Sequence, residues 1–357
     1  MAVALVDSDL ISLIEKRAIR SEHDLTRFIQ PASIDIPIGK TAYLVKQKFL
    51  PFGKSVRDLL NTFALERLDL TSGAILFKGQ TYLIPCLTFD LPNDLEIRTS
   101  PKSSIGRIDL LVRSVFDHTG LYDRVPTGGS GELWIEVTPQ SFNVRVQEGI
   151  ALNQLRTYIK NAEKTDVRNE RITYDEHGEP LDATHHSPSK IILSLSARPN
   201  TIAGYESVHT NEVIDLTKTY TLNHNRFFRE IATDEDGRIT IEKDRFYILS
   251  TKERIAVPHH LSAEMVPFFH LVGELRAHYA GFFDPGFGWG RGGCSAVLEV
   301  RPQENLTAYH GQPICLMEFS SHTKAVSVPY GEAGNNYQVQ IGPRPAKYFT
   351  YDIGKST

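Results

Sequence analysis

The chain has 357 residues, 41% of them hydrophobic, and a formal net charge of −4. That length calls for two domains rather than one core, and the slightly acidic balance excludes a general nucleic-acid binder, which needs a basic footprint. Three scattered cysteines, Cys86, Cys294 and Cys315, supply neither a disulfide framework nor metal-ligand spacing. No apolar run reaches membrane-spanning length, and the N-terminus lacks a signal-peptide pattern, so the expected location is the cytoplasm.

In chain order, Asp7 to Ala18 reads as a helix, with Asp7 or Ser8 as cap and Leu10, Ile11, Leu13 and Ile14 as its apolar stripe. After it the chain turns to short strands. Ala32 to Gly39 alternates apolar and polar residues for most of its length. Further strands are expected at 75–77, 81–84, 133–137 and 150–155. From about Lys160 to Ser189 the chain becomes charged, and residues 166–189 are expected to be a solvated connection, with a hairpin at most. Strands resume at 191–197, 239–241, 246–249 and 296–300, with a hairpin turn at Asp234-Glu235-Asp236-Gly237. Short strands punctuated by Pro and Gly point to a mainly β fold of barrel or sandwich type, with few helices.

The second half repeats the first. Glu136-Val137-Thr138-Pro139-Gln140 recurs as Glu299-Val300-Arg301-Pro302-Gln303, 163 residues later. Gly149 and Gly311 follow the two copies, and Leu91-Pro92 with Leu95 is echoed by Val257-Pro258 with Leu261. So long a period excludes a solenoid and indicates two diverged domains of one fold, 1–165 and 190–357.

Two features carry chemistry. Lys102, Ser103, Ser104 and Arg107 put hydroxyls and cations where they can clamp a polyphosphate; in isolation a polar loop opening a helix is the better account of them. Glu136 and Glu299 each place one carboxylate in an otherwise apolar strand. Burial disfavours the charge and raises such a group toward the range useful for proton transfer, although a cross-strand ion pair uses the same residue type. The repetition favours function without excluding a duplicated structural residue. Asp284-Pro285-Gly286, inside a Gly- and aromatic-rich loop, permits close backbone approach to a flat base; a plain hairpin turn explains it nearly as well. The Pro-Cys-x-x-Cys of zinc deaminases is missing, since Phe89 stands where the second cysteine belongs, and there is no P-loop.

These residues resemble the dCTP deaminases of the trimeric dUTPase-like superfamily. The resemblance runs through Asp9 to Ile19, Gln30 to Asp35 with Gly39, and Ser103 to Arg107, which is similar to the family's phosphate motif. It continues through Glu136, Gln154, Asp284 to Gly286, Glu299, Pro329-Tyr330, Tyr337 and Gln340. It implies two tandem dUTPase-like β-barrel domains, with Glu136 or Glu299 catalytic and Gln154 contacting nucleotide. Asp284, Pro285 and Gly286 would bind the base, and Tyr330 and Gln340 would close the site. It also implies dCTP and dUTP as nucleotide partners, dTTP as a candidate inhibitor, Mg²⁺ carried on the triphosphate, no zinc, and a homo-oligomer with three-fold or pseudo-three-fold packing. Domain one keeps the phosphate motif but has His118 to Tyr122 in place of the Asp-Pro-Gly hairpin. Domain two keeps that hairpin but has mostly apolar Pro267 to Leu271 in place of the clamp, and Asn336 where the family offers a lysine. The family's sites lie between subunits. Complementary losses therefore imply one composite site, with phosphate residues from domain one and Glu299 from domain two; Glu136 is then a relic or the shuttle of a site built the other way.

Overall fold

A computed structural model of the protein describes residues 3–160, 166–168, 170–181, 186–187, 189–267, 281–332, 338 and 340–350. Helix α1 spans Asp7–Glu15, shorter than the sequence predicts, and neither Asp7 nor Ser8 caps it; Val6 holds the cap position. In the first half, strand β1 (Ser33–Pro37) is followed by helix α2 (Val56–Phe63), strands β2 (Thr81–Asp90) and β3 (Leu95–Pro101), and the one-turn helix α3 (Ser103–Gly106). Strands β4 (Leu110–Phe116), β5 (Ser130–Pro139) and β6 (Ala151–Ile159) complete it. One sheet sets β6 between β3 and β1, and a second sets β5 between β4 and β2. The expected strands near 81, 133 and 150 are thus present but longer, because each continues into buried registers beyond its most apolar stretch.

The second half repeats this plan with β7 (Tyr247–Ile255), β8 (Leu261–Pro267), β9 (Cys294–Val300) and β10 (Pro313–Ser321). β9 lies on β7, as β5 lies on β2, and β10 pairs with β8, as β6 pairs with β3. The repeated motif therefore occupies equivalent strand ends. Gly149 and Gly311, at φ +82° and +78°, make the same left-handed turn before β6 and β10, a conformation that favours glycine.

Two sequence expectations are corrected here. The turn at Asp234 to Gly237 forms, but its flanking strands Phe228–Ala232 and Arg238–Ile241 pair with different partners, so it is not a hairpin. The charged connection is not merely solvated. Thr173–Tyr174 pairs with β7, His186–Ser187 pairs with Lys190–Ser194, and Val167 and Ile172 are wholly buried in the second core.

The halves are not two isolated cores. Ile214, Leu216, Phe227, Phe228 and Phe349 pack into the first half's cluster, where Phe142 meets Phe227 and Phe228 edge-on with 5.4 Å between ring centres. Asn143–Val146 also pairs in parallel with Val213–Asp215. Apolar contact on this scale holds the halves in register, which is what lets a site form between them. Among the described residues no helix is long and apolar enough to cross a membrane.

Candidate active site

A cleft of about 260 Å³ opens between the two halves. From the first half, Lys102, Ser103, Ser104, Arg107 and Gln154 line it; from the second, Asp284, Glu299 and Tyr330. The phosphate-motif residues owe their position to β3, which runs to Pro101 and breaks directly into α3. Lys102 contacts the Asp35 carboxylate on β1, fixing the loop across the sheet. Arg107 is 5% exposed, and its Nη1 donates to Gln340 Oε1 at 2.8 Å and to the Arg344 carbonyl at 3.2 Å.

Glu299 faces Arg107. Its Oε1 lies 3.9 Å from Arg107 Nε, and both side chains are 6% exposed. Burial pushes the Glu299 carboxyl up to about 8, against the pull of the Arg107 charge. A carboxyl so placed can take up and return a proton near neutrality.

Glu136 lies outside this cleft. Its Oε1 is 3.3 Å from Lys48 Nζ, and Oε2 accepts from the Tyr122 hydroxyl at 3.2 Å. Burial raises its pKa while Lys48, Tyr122 and Arg113 oppose the rise; the same contact and burial push Tyr122 up to about 12. Around it, Phe49 from the chain before α2 packs in one cluster with Val56, Leu60, Val115 and Trp134. The first half's glutamate is thus covered by its own chain.

The Asp284-Pro285-Gly286 turn does something the sequence did not disclose. Asp284 lines the cleft, but its Oδ1 accepts from Arg156 Nη2 at 3.0 Å. Burial raises the Asp284 carboxyl and Arg156 opposes that. Pro285 and Gly286 are not among the lining residues; the Pro285 carbonyl accepts from the Tyr330 amide at 2.7 Å, and the Gly286 carbonyl accepts from Gln338 at 2.9 Å. A Cβ at Gly286 would stand 2.8 Å from the Tyr330 carbonyl, so the glycine is what lets the C-terminal segment seat there. Gln340 is likewise buried beneath the site, bound to Arg107, rather than lining it.

Arg156 is the residue that sequence reasoning missed. It is wholly buried, donates to the carbonyls of Ala32 and Ala263 as well as to Asp284, and stacks 4.3 Å from the Phe282 ring centre. The signal was its place two residues beyond Gln154, a lone cation on the same face of a buried strand. Lys347 also lines the cleft from near the C-terminus, where burial and neighbouring Lys102 lower its pKa. Residues 268–271, Asn336 and Tyr337 lie outside the described residues, so the replaced clamp and part of the expected closing segment have no structural account. Among the described residues no three His, Cys, Asp or Glu side chains gather as a metal-binding group.

Comparison with known proteins gives a consistent answer. Residues 2–161 match the family model of the 2′-deoxycytidine 5′-triphosphate deaminase N-terminal domain, and residues 163–349 match that of its C-terminal domain. A dUMP-forming dCTP deaminase of Coprothermobacter proteolyticus is 28% identical over 176 residues, 48% of this chain and 87% of the relative. Another from Rhodococcus erythropolis is 36% identical over 180 residues, with the same two coverages. The crystal structure of 2′-deoxycytidine 5′-triphosphate deaminase from Agrobacterium tumefaciens superposes with TM-score 0.81 at 34% identity, covering 90% of this chain and 99% of that one.

Proposed function

The chain belongs to the 2′-deoxycytidine 5′-triphosphate deaminase family, and on that premise we propose that it hydrolyses dCTP to dUTP and ammonia at the cleft between its halves. The observation that carries this reading is the meeting of Glu299 with the Lys102–Arg107 segment across one buried cleft. Ser103 and Ser104 offer hydroxyls, and Lys102 and Arg107 offer charge, to the triphosphate. Glu299, as carboxylate, takes a proton from a water that adds to C4 of cytosine. It passes that proton to N3 and helps the amine leave as ammonia, so one water enters and one ammonia departs. Arg156 holds Asp284 and the turn on which Tyr330 rests, so the base-side wall is braced from the phosphate-side half.

Magnesium arrives as part of the substrate, on the triphosphate, and screens its charge. On the phosphate side of the cleft Asp35 contacts Lys102, an arrangement that keeps the wall from being uniformly cationic.

A second reading carries the reaction onward to dUMP and pyrophosphate. It is favoured by the relatives, which are named dUMP-forming. Chromatography of a reaction with dCTP and Mg²⁺ separates the two readings: dUTP with ammonia supports deamination alone, and dUMP with pyrophosphate supports the bifunctional course. Unchanged dCTP in a folded protein would contradict both and favour a nucleotide sensor.

A further inference from the structure

Arg107 and Glu299 are each followed, two residues on, by a charge of opposite sign, Asp109 and Arg301. These second charges also meet. Arg301 Nε donates to the two Asp109 carboxylate oxygens at 3.1 and 3.4 Å, and Nη2 contacts the same carboxylate. Ser141 closes the cluster: its Oγ accepts from Arg301 at 2.9 Å and donates to Asp109 at 2.7 Å. Arg301 further donates to the Asp244 carbonyl.

Asp109 is 1% exposed and sits at φ +54°, in the left-handed region. Its amide donates to the Gly106 carbonyl at 2.9 Å, and its own carbonyl accepts from the Gln140 amide at 3.0 Å. A non-glycine residue held there is over-determined by its surroundings. Glu299 and Arg301 lie on one side of the extended chain, with the wholly buried Val300 on the other. One ion pair fixes a distance between two segments; two consecutive, reciprocal pairs also fix their relative orientation.

We propose that Asp109 and Arg301 are positioning residues that lock the end of the phosphate motif against the strand bearing Glu299 and so set the Arg107–Glu299 approach. The proposal rests on the reading of Glu299 as the proton-transfer group. Neither residue touches the cleft; they act through Arg107 and Glu299.

The test is kinetics of the whole 357-residue chain with Arg301→Lys and with the double variant Asp109→Asn/Arg301→Gln, which removes both charges together and leaves amides able to hydrogen-bond. The double variant should keep its melting temperature within a few degrees and its KM for dCTP within a few fold. Its kcat should fall on the order of 10–100-fold, since small misplacement of a reacting group is costly. Among the described residues, Glu299 is faced by Arg107, from the phosphate motif, and by Cys315, a buried thiol on β10 held neutral by burial. Loosening Arg107 therefore moves the rising limb of the pH–rate profile upward, and Arg301→Lys should restore part of kcat and of that profile. A lowered melting temperature with kcat and the pH profile unchanged, or a raised KM with kcat held, would overturn the proposal. If the double variant does not fold, Arg301→Gln alone with a wild-type pH profile and kcat also overturns it. Full activity in Glu299→Gln, measured alongside, would show instead that the underlying reading is wrong.

Discussion

The two halves end equivalent strands with the same Glu-Val-x-Pro-Gln run and surround its glutamate in opposite ways. Around Glu299, the neighbouring half supplies Arg107 across an open cleft, and the C-terminal segment seats on Gly286 beside it. Around Glu136, the same half supplies Lys48 and Tyr122, and Tyr122 packs in the cluster that holds Phe49 and Trp134. A duplicated motif has been kept open in one copy and filled in the other. What differs is not the glutamate but what reaches it.

That contrast can be broken at several points. Arg107→Gln removes the proposed phosphate ligand and the partner of Glu299 together, and should lower kcat/KM by about 100-fold or more, by steady-state assay. Lys48→Met, its counterpart in the filled copy, should leave kcat/KM unchanged. It should cost about 1–2 kcal/mol in chemical denaturation, discounted because Lys48 is 40% exposed. Arg156→Met removes the wholly buried member of a pair that joins the halves and should cost about 3–5 kcal/mol in the same measurement.

The pH dependence sharpens the comparison further. The Glu299 carboxyl stands at about 8 in the folded protein, above its unfolded value. Its protonated form is therefore the favoured native one: the stability it contributes is fully present below the unfolded pKa and is lost as pH rises through about 8. Glu299→Gln should accordingly melt higher than wild type by a few degrees at alkaline pH and close to wild type at pH 5. Catalysis runs the other way, because in the proposed reaction the carboxylate is the proton acceptor: kcat/KM should rise with pH through about 8. The smallest effects belong to the glycines. Gly286→Ala meets backbone at φ +97° and should raise KM several fold by unseating Tyr330, whereas Gly120→Ala meets only the movable Phe52 ring and should leave KM unchanged.

Much of this was legible in the sequence. The repeat announced two copies of one fold, and the split of motifs between them announced that Ser103, Arg107 and Glu299 would meet, as they do along one cleft. What stayed hidden was set by contacts distant in sequence. Nothing local says that Lys48 will reach Glu136, that Arg156 will claim Asp284, or that Phe227 and Phe228 will pack into the first half's core. Helix α2 escaped for a related reason. Its sequence is half charged or polar, and its two buried residues, Val56 and Leu60, show their purpose only once Trp134 is beside them.

The most direct test of a single working glutamate is to assay dCTP turnover for Glu299→Gln and Glu136→Gln side by side, each shown to be folded. The account predicts a loss on the order of 100- to 10,000-fold for Glu299→Gln and activity within a few fold of wild type for Glu136→Gln. The reverse pattern, or equal losses, would contradict it.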